Sequence, residues 1–222
     1  MPAGKPRKLT RVQIAWLRRA SRKQERFVVA YEFPPYLWPR VQKRLPGLSP
    51  KEMELVERGL RQWFICCACR WGTTLGMPSR AVDEAWHEFI LDTREYAGFC
   101  TAAFGEFLHH TPDEAMTRPV GDALGETVRA WGRSEAGQEE ESVLWDLDAK
   151  LGLEEPLGLD SEQLAAARAR GPYPAAAIGW AGAGYASACF VGGSGGEGGG
   201  GGGCSGGGGC GGGGGGCGGG GS

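Results

Sequence analysis

The sequence predicts an all-α fold, a compact multi-helix domain followed by a disordered glycine-rich tail. Three observations carry this. Capping signatures of the S/T/D-x-x-E type recur at Ser49–Glu52, Asp92–Glu95 and Thr111–Glu114, each just ahead of a helical pattern. Apolar residues return at three- and four-residue steps between them. No stretch sustains the apolar–polar alternation of a strand. The tail follows from composition, because 24 of the 41 glycines fall in residues 192–222. Such a run has no apolar area to offset its backbone entropy.

The first helix is expected over residues 9–31, with Thr10 as cap and Val12, Trp16 and Leu17 as an apolar face among Arg and Lys. Phe33-Pro34-Pro35 stops it, since proline removes the donor that the ladder needs. A short helix over 36–44 ends at Pro46-Gly47. Ser49-Pro50-Lys51-Glu52 then starts a strong helix, with proline at its first position. Met53, Val56, Leu60, Trp63, Phe64, Cys67 and Trp71 give it a stripe wide enough for a central core helix. Ser79 caps a helix over 80–91. Asp92 opens another over 93–108, with Tyr96, Phe99, Cys100, Ala103 and Phe107 inward. Thr111 starts a short helix to about residue 117. Helical spacing continues over 122–132 and 139–151, two acidic segments expected at the domain edge. Ser161 caps a small helix over 161–170. The expected organisation is a helical domain over 1–150, an edge helix with an Ala/Gly-rich linker over 151–191, and the tail over 192–222.

The net charge of −2 hides an asymmetry. Residues 1–72 hold 16 Lys/Arg against 5 Asp/Glu, and the remainder is correspondingly acidic. Two solvated faces that attract each other within one domain account for this. A basic arm for nucleic acid or acidic lipid, built from the N-terminal helices, is the sharper reading. No apolar core follows the opening charges, so a secretory signal is not expected. The Ala/Gly composition of 175–191 is too weakly apolar for a transmembrane segment. Eight cysteines without a secretory signal imply reduced thiols, and the chain reads as cytoplasmic.

All three histidines lie between residues 77 and 112, with Asp83, Asp92 and Cys100 among them. Asp83 and His87 are four apart on one helix and share a face. His109 and His110 close the next helix, so an antiparallel pairing brings one of them toward that face. Two imidazoles and a carboxylate suit a divalent transition metal such as Zn, Fe(II) or Mn, with positions left open. Structural roles compete: Asp83 in a first helical turn, His87 as a core histidine, a His at a helix C-terminus. Metal-free acid/base work is a third reading. Cys66, Cys67 and Cys69 share the core helix, where a small buried role competes with a zinc knuckle completed by Cys100 or a histidine.

The run V-D-x-x-W-H (Val82, Asp83, Trp86, His87), then I-L-D-T over 90–93, Tyr96, Phe99-Cys100 and Phe107-Leu108-His109-His110-x-Pro112 resembles the glycine-rich domain-containing protein-like family, its bacterial branch more than the plant one. The resemblance covers roughly residues 31–116. It implies a helical module with a shared pocket around Asp83, His87 and Tyr96, to which Trp86, Cys100 and His109 are candidate contributors. It implies no particular reaction. Phe89 stands where the plant-like pattern carries a further histidine.

In the tail, Cys204, Cys210 and Cys217 are spaced by six and seven residues, unlike a C-x-x-C ligand pair. A flexible linker with incidental thiols, an intermolecular link, and a substrate for heterocycle-forming modification are the three readings. For the whole chain the leading expectation is a non-catalytic binding or scaffolding module with a protein partner. A metal-binding protein or metal-dependent enzyme using Asp83, His87 and His110 comes second, and a modified-peptide precursor third.

Overall fold

The computed structural model describes residues 9–112, 120–169 and 187–190. Helix α1 (Arg11–Ala30) starts at a reciprocal capping box between Thr10 and Gln13. It ends ahead of Pro34-Pro35, and α2 (Leu37–Arg44) follows. Ser49 and Glu52 form the second box, with Pro50 as first residue of α3 (Pro50–Ala68). Val56, Leu60, Trp63, Phe64 and Cys67 on α3 are all fully buried, which makes α3 the central helix. Helix α4 (Arg80–Ile90) and α5 (Thr93–Phe104) join at Asp92, whose carboxylate accepts from the Glu95 N–H. An aromatic cluster of Tyr31, Phe33, Phe64, Phe89 and Phe99 fastens α1, α3, α4 and α5 together.

Several expectations are corrected. Helix α5 stops at Phe104 and not at residue 108, because Gly105 takes a left-handed conformation (φ 76°) and closes the helix. Phe107 is therefore off the helix and exposed, and not inward. His109 and His110 lie on a strand, β2 (His109–Pro112). It pairs antiparallel with β3 (Ser187–Phe190), which also pairs with β1 (Leu75–Gly76), giving the order β1-β3-β2. The third capping signature thus falls on a strand at Thr111, and its remaining residues lie outside the described ones.

The acidic segment expected at the edge is α6 (Val120–Arg133), and it sits in the interior. Ala123, Leu124, Val128, Ala130 and Trp131 are buried along it. Gly76 permits this close approach: a Cβ there would meet the Leu124 nitrogen at 2.9 Å. Thr127 Oγ1 donates to the Gly76 carbonyl at 2.7 Å and fastens the contact. Residues 139–151 are not one helix. They divide into the end of α7 (Ala136–Glu139), a 3-10 turn (Val143–Trp145) and α8 (Leu147–Lys150). Gln62 on α3 causes the break, since its Oε1 accepts from both the Ser142 hydroxyl and the Val143 N–H at 2.9 Å. Helix α9 (Ser161–Ala169) packs on α6, and Leu159 and Ala167 join the core that begins at Val28. Val12 and Trp16 on α1 do not face that core. They are 78% and 69% exposed, and Ser21, Glu25 and Val28 point inward instead.

Among the described residues no helix is long and apolar enough to cross a membrane.

Candidate metal centre

The site is built on the first turns of α4. Ser79 caps the helix by accepting from the Val82 N–H. Behind it stands Asp148 of α8, fully buried. Its carboxylate accepts from the Ser79 hydroxyl (2.6 Å), from the Arg80 (2.7 Å) and Ala81 (3.2 Å) N–H groups, and from the Leu157 N–H (2.9 Å). A negative charge on those open donors is the favourable end of the helix dipole. At the far end Glu88, also buried, accepts from Arg40 (2.9 Å) and Arg44 (2.7 Å) of α2. Burial pushes that carboxyl's pKa up, but the two guanidiniums outweigh it and hold it below the ordinary value. Helix α4 is thus anchored at both ends by buried carboxylates.

On the face between them, His87 Nδ1 lies 3.5 Å from Asp83 Oδ2. From β2, His110 Nε2 lies 3.2 Å from Asp83 Oδ1. The two imidazole rings are 4.2 Å apart, centre to centre. One ligand atom from each of the three residues falls within 4.8 Å of the others, and among the described residues this is the one such group of His, Cys, Asp or Glu. The Asp83 side chain is 9% exposed and that of His110 15%, whereas His87 is 41% exposed. The set is therefore seated in the protein but open on the His87 side.

Strand geometry decides which histidine takes part. Successive side chains on a strand point to opposite faces. His110 turns toward Asp83, and His109 is exposed with its ring 4.9 Å from Phe107. The strand itself is placed by a buried relay. The Trp86 indole donates to the Tyr96 hydroxyl (3.0 Å), which donates to the Leu108 carbonyl (2.6 Å). Burial drives the Tyr96 hydroxyl's pKa far above its ordinary value, so it stays a donor. The Trp86 ring also lies 4.7 Å from the His110 ring. Trp86, Tyr96 and Cys100 are fully buried. Of these three, Trp86 is the one in ring contact with a candidate ligand, and Tyr96 reaches the site through it. Burial likewise pushes the Cys100 thiol up.

The cysteines of α3 offer no second centre. Cys66, Cys67 and Cys69 are buried and are in no disulfide, and among the described residues no cysteine belongs to a cluster of ligand geometry. Burial pushes the Cys69 thiol up to about 12, the signature of an inert buried residue. Cys204, Cys210 and Cys217 lie outside the described residues. Sequence reasoning did not single out Asp148. Sixty-five residues separate it from Asp83, and no local spacing links the two.

A tetrahedral ion with bonds of about 2.1 Å sets its ligand atoms roughly 3.4 Å apart. The 3.5 and 3.2 Å separations run to the two different Asp83 oxygens, and one ligand atom from each residue lies within 4.8 Å of the others, a looser set than that spacing. Two imidazole nitrogens and one carboxylate oxygen are the donors that Zn, Fe(II) and Mn accept. Three protein ligands leave at least one coordination position for water or another donor.

A family model described as UCP032817-like matches residues 23–155, a span that contains Asp83, His87 and His110. No curated protein and no solved structure matches the chain.

Proposed function

The chain belongs to the UCP032817-like family, and we propose that it is a helical binding module whose ligand is a divalent transition-metal ion. Asp83, His87 and His110 hold the ion. The carrying observation is the convergence of these three side chains, from a helix and a strand, to within 4.8 Å of one another. The buried Asp83 carboxylate already has His110 Nε2 within hydrogen-bond distance of Oδ1, and a dication placed between it and the two imidazoles would take over as its charge partner. The likeness of the V-D-x-x-W-H run to the glycine-rich domain-containing protein-like family fits this reading, because the run contains two of the three ligands. No reaction follows from the geometry, so the proposal stops at binding.

Titration calorimetry with Zn²⁺ tests it. The full chain is expected to take up one ion at this site. Asp83→Ala and His110→Ala each lower its affinity by more than about 100-fold, given that changes outside the ligand shell alone cost 10- to 100-fold. Helical circular dichroism persists in both variants. Both retain every thiol, so binding by cysteines cancels from the comparison. Stoichiometric, undiminished uptake by both variants would refute the assignment.

A further inference from the structure

The outer face of α1 stands apart from everything described above. Its buried residues, Ser21, Glu25 and Val28, all lie in the second half of the helix. None of residues 11–20 is buried. Val12 and Trp16 are four apart on α1 and share one line of its surface, Leu9 precedes the Thr10 cap, and all three are exposed. Arg19 and Lys23 extend the same line, and Arg11 and Arg18 flank it. All four cations are exposed. Arg22 and Arg26 reach Glu135, whereas Arg11, Arg18, Arg19 and Lys23 have no partner among the described residues.

A large indole two-thirds in water, in line with Val12 and beside four unpaired cations, is a contact surface. Its chemistry selects the occupant. Lys and Arg beside a Trp-containing apolar line is the pattern of a helix lying in a bilayer interface, where tryptophan prefers the headgroup level. Nucleic acid would satisfy the cations but would give Leu9 and Val12 no apolar surface to bury against. We infer that α1 docks the protein on an anionic lipid bilayer surface, with Val12 and Trp16 entering the headgroup boundary and Arg11, Arg18, Arg19 and Lys23 on the lipid phosphates. The surface is separate from the metal ligands, so this inference stands or falls independently of the ion.

Flotation of the full chain with lipid vesicles tests it. Vesicles of phosphatidylcholine with roughly a third phosphatidylglycerol are expected to carry the protein, and pure phosphatidylcholine is not. Raised salt releases it. The Arg18→Ala/Arg19→Ala pair lowers partition about 25-fold, roughly five-fold per cation. Trp16→Ser lowers it about ten-fold, the cost of withdrawing one large apolar side chain. All these positions are exposed, so circular dichroism and thermal unfolding should match the parent protein and exclude misfolding. A gel-shift with duplex DNA runs alongside. No flotation, equal flotation with neutral vesicles, or DNA binding indifferent to Trp16→Ser without flotation would each overturn the inference.

Discussion

At the residue scale, the half of the site that lies on one helix was legible from spacing alone. Asp83 and His87 are four apart after a Ser79 cap, and that spacing is enough to put them on a shared face. His110 was legible as a candidate but not as the choice over His109. The choice depends on strand alternation, and the strand exists because β3, almost 80 residues later, pairs with it. The least visible part was the support. Tyr96 accepts from Trp86 and donates to Leu108, so one hydroxyl satisfies two buried groups. Tyr96→Phe leaves both without partners and is expected to cost about 2–4 kcal/mol in urea unfolding. It also loosens the strand that carries His110, so zinc affinity falls about ten-fold in calorimetry although no ligand is changed. Unchanged affinity with reduced stability would mean that the relay serves the core alone.

At the element scale, helix starts were read from Ser, Thr and Asp caps and hold at Thr10, Ser49, Ser79 and Asp92. Ends were harder, because apolar periodicity ran on past a real stop. Gly105 marks the end of α5 in the sequence, and the helical step to Phe107 runs past it. The breakup of 139–151 had no local signal, since Gln62 imposes it from another helix. Burial of α6 was equally hidden, because it rests on the absence of a side chain at Gly76. Asp148 belongs to this scale too, as the distant cap that fixes the N-terminus of α4. Asp148→Ala frees the Ser79 hydroxyl and three backbone N–H groups. It is expected to cost about 3 kcal/mol or more and to weaken zinc binding, because Asp83 rides on the first turn of the freed helix. Thermal unfolding and calorimetry on the same sample check both effects.

At the scale of the whole molecule, the charge asymmetry resolves into contacts. Arg22 and Arg26 meet Glu135, Arg58 meets Glu140, Arg70 meets Glu106, and Arg40 and Arg44 meet Glu88. The basic early part of the chain thus spends many of its cations on the acidic later part, and the outer cations of α1 are among those left over. The exposed pairs among these, such as Arg22–Glu135 and Arg58–Glu140, add little stability each. The continuous core from Val28 to Ala167 supplies most of it. Within that core the candidate ligands Asp83 and His110 sit 27 residues apart in sequence and meet only when α4, α5 and β2 are all in place. An ion held there binds the folded chain and not the unfolded one, so it must stabilise the fold by mass action. Thermal unfolding with and without Zn²⁺, in the parent chain and in His110→Ala, is the most direct measurement. At about 100 times the dissociation constant the gain is roughly 2.7 kcal/mol, which for a domain of this size raises Tm by about 5–10 °C. The account predicts that rise in the parent chain and its loss in His110→Ala. An unmoved Tm in the parent, or the same rise in both proteins, would contradict it.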